Sequence, residues 1–101
     1  MYISRLLFHT IPGKTNEVEE QLRKLREMVV KAGGSRPKIL RAHFASLGAP
    51  DAVFEQDARD LATLENQITK LTRTSEFQSW SKKMSKLLTQ STKREIYLAA
   101  D

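Results

Sequence analysis

Two histidines, His9 and His43, and two carboxylates one residue apart, Glu55 and Asp57, are the side chains of this sequence best suited to moving a proton. An imidazole titrates near pH ~6.5 and can serve as a base at neutral pH without large tuning. His9 follows Phe8 in a largely apolar segment, which makes it the candidate catalytic base. His43 set across from Glu55 would favour the imidazolium, with the carboxylate as its orienting partner. Trp80 and Tyr97 each join an apolar ring to a polar tip and suit either a pocket wall or an interface. His43, Glu55, Asp57, Trp80 and Tyr97 are therefore candidates for a pocket or for a polar face. The nitrogen and oxygen donors lack the tight spacing of a motif such as H-E-x-x-H, so no metal site and no cofactor are expected. The absence of cysteine excludes thiolate chemistry and disulfides. Gly33-Gly34 follows a helical pattern instead of preceding one, which marks a stop and not a phosphate cradle.

The elements that would hold these residues can be read from periodicity. A chain of 101 residues, 40% apolar and 29% charged, fits a single domain over residues 1–101. From Met1 to Gly13 apolar residues occupy both faces of a strand, with Ile3, Leu7 and Ile11 on one and Leu6 and Phe8 on the other. Two short helical elements can cover only one face of a sheet this small. The second face then needs a partner, and a homodimer is expected.

Asn16 and Glu19 fit a capping box that opens a helix with the stripe Val18, Leu22, Leu25, Val29 and Ala32, ended by Gly33-Gly34. Strands over Lys38–Ser46 and Ala52–Arg59 flank a Gly- and Pro-containing loop. Pairing Phe44 with Phe54 sets Ala42 against Gln56 and Leu40 against Ala58 on a face directed at the helices. The other face then carries Arg41 opposite Asp57 and His43 opposite Glu55, both complementary in charge. Asp60 can cap a helix striped by Leu61, Leu64, Ile68 and Leu71. Ser75 with Gln78 suits the start of another, carrying Phe77, Trp80, Met84, Leu87 and Leu88, and a short strand Arg94–Ala100 closes the chain. The order is β-α-β-β-α-β, with the second helical element split in two.

The net charge of +5 raises the question of a nucleic-acid partner. The basic residues alternate with acidic ones along the first helix, however. The tight group Lys82, Lys83 and Lys86, with Lys93 and Arg94 beyond, has no interleaved aromatic series, so neither nucleic acid nor membrane is expected as a partner. No apolar run approaches the ~20 residues of a membrane span. Together with the lack of cysteine, this fits a cytoplasmic location.

This order, with Pro12-Gly13-Lys14 after the first strand, Ser75-Glu76-Phe77 at the late helix and Arg94-Glu95-Ile96-Tyr97 in the last strand, resembles the dimeric α+β barrel superfamily. Within it the chain is similar to small antibiotic-biosynthesis-monooxygenase-like and NIPSNAP-like domains over nearly its whole length. The resemblance implies an α+β fold with a ferredoxin-like protomer, an antiparallel sheet with helices on one face, and two sheets meeting as a barrel in the dimer. It also implies a small cavity between sheet and helices. The asparagine, histidine and tryptophan of the haem-degrading branch have no match here: Leu6 and Ser81 stand near the first two, and nothing in 53–59 replaces the third. The resemblance thus leaves two functions open. One is a dimeric protein that binds a small aromatic or apolar metabolite without an identifiable catalytic site. The other is a cofactor-independent monooxygenase acting on a phenol or quinol, with His9 as base.

Overall fold

The computed structural model describes residues 1–101 and has the order β1 (Tyr2–Phe8), α1 (Thr15–Lys31), β2 (Lys38–Arg41), β3 (Ala52–Ala58), α2 (Leu61–Thr72), α3 (Ser75–Ser85) and β4 (Lys93–Leu98). The strands form one antiparallel 4-stranded sheet in the order β2-β3-β1-β4, the ferredoxin-like arrangement. No helix is long and apolar enough to cross a membrane.

The helices cover a single face. Strand alternation sends Phe8, Phe54 and Ala52 beneath them, each at most 1% exposed. The α1 stripe Val18, Leu22, Leu25 and Val29 meets this layer, and Leu64, Leu71, Trp80 and Met84 complete it from α2 and α3. The expected α1 stripe is thus core, whereas Leu61 at the start of α2 is 40% exposed and Leu87 and Leu88 lie beyond the end of α3 at Ser85. The opposite face, with Ile3, Arg5, Leu7, Val53, Glu55, Lys93, Glu95 and Tyr97, has no helix over it, and all of these residues keep solvent contact.

The helix boundaries follow local chemistry, with two departures from expectation. Asp60 caps α2 by accepting the Thr63 N–H at 2.8 Å, and this bond holds its carboxyl below the ordinary range. At α3 the cap is Thr74, whose hydroxyl accepts the Phe77 N–H at 3.1 Å, so Ser75 is already helical. The Asn16–Glu19 box does not form: α1 starts after Lys14 without a side-chain cap, and Glu19 is drawn instead to Arg41. Gly33, at φ +92°, turns the chain out of α1, with Gly33 N–H bonding to the Val30 carbonyl and Gly34 N–H to that of Val29. This is a Schellman ending.

The β2–β3 pairing differs from the expected register. Leu40 meets Val53, Ile39 meets Phe54, Arg41 meets Ala52 and Lys38 meets Glu55. The displacement is odd, so every β2 side chain changes face. Ile39 and Arg41 point toward the helices and Leu40 away, and the pairs Arg41–Asp57 and His43–Glu55 do not exist. The physical cause lies on the two sides of the loop that joins β2 to β3. Glu19 of α1 takes the Arg41 guanidinium, with Nη2 to Oε1 at 2.7 Å. Asp51 is anchored across the sheet end, its N–H donating to the Phe8 carbonyl at 2.9 Å and its carboxylate accepting the Thr10 N–H at 2.8 Å. β2 therefore stops at Arg41, and His43 and Phe44 lie in the loop, exposed and edge to face.

Candidate functional site

A cavity of about 270 Å³ opens between the sheet and the helices. Its floor is Leu6 and Phe8 from β1 with Phe54 and Gln56 from β3, and its roof is Leu25 and Val29 of α1, Gln67, Ile68, Leu71 and Thr72 of α2, and Phe77, Trp80 and Ser81 of α3. Thr92 and Arg94 close the side at β4. The volume equals about nine waters at their liquid share of ~30 Å³, so a matching ligand has about ten non-hydrogen atoms.

Trp80 is fixed by donating its indole N–H to the Gln21 carbonyl at 2.7 Å, and its ring lies 5.5 Å from that of Phe77 at a 34° tilt. This leaves aromatic surface, not a polar tip, on the cavity wall. The wall carries two amides in contact: Gln56 Nε2 donates to Gln67 Oε1 at 2.6 Å. Gly34 makes room for the second, since a Cβ there would stand 1.8 Å from Gln67 Nε2 and 2.6 Å from Val29 Cγ1.

Arg94 is the only ionisable side chain on the wall. It lies on edge strand β4 and keeps solvent contact as a residue, yet its guanidinium reaches inward, Nη1 donating to the buried Ser4 hydroxyl at 3.1 Å. Desolvation lowers its pKa, but a guanidinium remains cationic throughout the accessible range. No carboxylate lies within 4.0 Å of it: the ion pairs of the chain are Arg5–Glu55, Lys14–Glu17, Arg23–Glu19 and Arg41–Glu19.

Of the residues singled out from the sequence, Trp80 alone lines this cavity. His9 sits beyond the end of β1, with Nε2 hydrogen-bonded to the Gly48 carbonyl at 3.1 Å, which makes that nitrogen the donor. Its Nδ1 is buried without a partner. Glu55 binds Arg5 at 2.7 Å on the open face, and Tyr97 is there too, its hydroxyl donating to Glu95 at 2.7 Å and its ring 5.4 Å from the Arg5 guanidinium. The Glu95 bond raises the Tyr97 pKa. Asp57 is exposed beside Ile3 on the same face, and His43 is in the loop. The sequence candidates are thus dispersed over four regions. Arg94, Gln56 and Gln67 were not anticipated as site residues. Their signal is alternation: once β4 is aligned on β1, Arg94 shares the helix-side row with Leu6 and Phe54.

No family model matches the chain. No curated protein matches it either. Among solved structures, an uncharacterized NIPSNAP domain protein from Burkholderia xenovorans is similar at a TM-score of 0.80 and 14% identity, over 99% of this chain and 95% of the other. A candidate antibiotic biosynthesis monooxygenase from Nitrosomonas europaea is similar at 0.71 and 17% identity, over 100% of both chains. A conserved protein from Methanosarcina mazei is similar at 0.68 and 19% identity, over 96% and 91%. At these identities the likeness is one of fold, and the chain has the ferredoxin-like α+β fold of the antibiotic biosynthesis monooxygenase and NIPSNAP domain structures.

Proposed function

We propose that this protein is a homodimer that binds a small apolar or aromatic metabolite in the sheet–helix cavity of each protomer and carries out no proton-transfer chemistry there. The observation behind this reading is the wall itself, where Phe8, Phe54, Phe77 and Trp80 surround a space fit for one ring system. The chain has one tryptophan, so Trp80 emission reports directly on occupancy. Titration with 2-naphthol is expected to give a saturable change with one site per chain, abolished by Gln67→Phe, which projects a ring into the space. An unchanged emission across a panel of aromatics of this size would reject the reading.

The dimer is supported by the uncovered sheet face and by Phe44 and Leu47, which are 92% and 106% exposed in the β2–β3 loop. Light scattering at micromolar concentration is expected to give twice the mass of one chain. The alternative, a cofactor-independent monooxygenase, needs a base beside the substrate. The only titratable group on the wall is a guanidinium, which cannot accept a proton. Quinol substrates without added metal or flavin are accordingly expected to give no oxygen uptake, and uptake at a steady rate would favour the alternative.

A further inference from the structure

Across the helix side of the sheet, one row of paired residues reads Ile39, Phe54, Leu6, Arg94. Three apolar side chains lead to a guanidinium, and that guanidinium is one end of the cavity. Arg5, Lys14, Arg23 and Arg41 each have an acidic partner, while Arg94 has none within 4.0 Å. An edge-strand arginine without a task extends its head into water along its apolar stem. Arg94 does the opposite, turning inward to Ser4, a side chain 2% exposed.

That single bond to Ser4 uses one of the five N–H donors of a guanidinium. The remaining donors form a planar fork on a wall shared with aromatic side chains, a geometry matched by two coplanar oxygens or by one oxyanion. The neighbouring amides of Gln56 and Gln67 are bonded to each other and bring no charge of their own. The positive charge in this wall is therefore balanced by nothing in the chain.

We propose that the ligand of the cavity is a planar apolar anion of about ten non-hydrogen atoms, a carboxylate or phenolate whose charged oxygens are held by Arg94 while its ring or unsaturated body lies against Phe54, Phe77 and Trp80. This rests on the cavity being the ligand site. It adds the sign of the ligand's charge and the residue that reads it.

The test compares two molecules of one shape, cinnamate and neutral cinnamamide, by titration calorimetry with the intact protein. Wild type is expected to bind cinnamate about 10- to 100-fold more tightly than the amide, the range for a hydrogen bond to a charged group. Arg94→Gln should erase that preference by weakening cinnamate alone, leaving cinnamamide within about twofold, and Arg94→Lys should restore part of it. 4-Nitrophenol titrated above and below its own ionisation tests the phenolate arm: affinity that rises as the phenol ionises admits phenolates to the site, and affinity that does not rise restricts it to carboxylates. Equal binding of cinnamate and cinnamamide by wild type would overturn the anion assignment and leave the apolar site standing. Failure of every probe, neutral ones included, would overturn the site and the assignment together. The wild-type comparison needs no variant, so a poorly folding Arg94→Gln protein would not blunt it.

Discussion

Ser4, Leu6 and Phe8 of β1 lie beneath the helices, while Ile3, Arg5 and Leu7 between them look the other way. Both faces are built by the same strands, so strand propensity cannot be what distinguishes them. On the helix side, rows such as Ile39–Phe54–Leu6 are apolar and the chain supplies its own cover. On the open side, one row runs Lys38–Glu55–Arg5–Glu95, alternating in sign, and the next is Leu40–Val53–Leu7–Lys93. A charged row balanced within itself next to an apolar row is suited to being wet in a free chain and covered in a pair. The helix side is thus specified by volume, and the open side by charge order.

The largest expected effect sharpens this contrast. Phe54 is 1% exposed and Val53, its neighbour in β3, is on the open face. Phe54→Ala is expected to lower unfolding free energy by about 3–5 kcal/mol in urea denaturation, the usual cost of a vacated aromatic site. Val53→Ala should cost well under half of that in a dilute chain. Equal losses would mean that the open face is as tightly packed as the core, and the distinction would fail.

Next in size is a charge placed on the open side. Leu7→Glu puts a carboxylate between Val53 and Lys93, where a covering partner would strip it of water. Dimer dissociation is expected to become at least about 10-fold easier, because Lys93 beside it offsets only part of the cost of stripping a charge of water, with little change in the circular dichroism of the chain. Light scattering across a dilution series reads this directly. A Leu7→Glu protein that dissociates no more readily than wild type would show that association uses another surface.

A smaller effect separates the two kinds of ion pair. Glu19, with a side chain 9% exposed, is shielded by Arg41 and Arg23 lying over it more than by depth in the domain. The hydrogen bond from Arg41 holds its carboxyl below the usual range. Because the folded-state pKa is the lower one, the stabilisation is complete above the unfolded value near ~4.3 and is lost as pH falls through the folded value. The stability gap between wild type and Arg41→Gln is therefore expected to hold from about pH 8 to 5 and to close at lower pH. A gap that persisted unchanged in strong acid would assign it to packing of the arginine stem. For Arg5–Glu55 on the open face, a double-mutant cycle in a monomeric background should give only about 0–1 kcal/mol.

Much of the fold was legible because it rests on signals that repeat. The stripes of α1, α2 and α3, the Asp60 cap and the Gly33 stop are each set by residues within a few positions of one another. The β2 register was not legible, since it is decided by distant partners: Glu19 captures Arg41, and Asp51 bonds the end of β1. Two plausible cross-strand charge pairs were no match for those contacts. The site failed for a related reason. Proton-moving residue types drew notice by their chemistry, yet the wall uses Arg94, Gln56 and Gln67, whose relevance appears only when β4 and β3 are aligned on either side of β1.

His9 gives the smallest and most discriminating expectation. It follows β1 directly, and a single residue separates a position on the cavity floor, Phe8, from one outside it. Its Nε2 proton is committed to the Gly48 carbonyl, and its Nδ1 is enclosed without a partner, so neither nitrogen is presented to the cavity. His9→Gln can preserve a donor toward Gly48, whereas His9→Ala cannot. The alanine variant is expected to cost about 1 kcal/mol of stability from the lost hydrogen bond, and both variants should bind cinnamate within about twofold of wild type. If His9→Ala changed that affinity as strongly as Arg94→Gln, the histidine would be coupled to the site through Phe8, and the boundary drawn at the end of β1 would have to move.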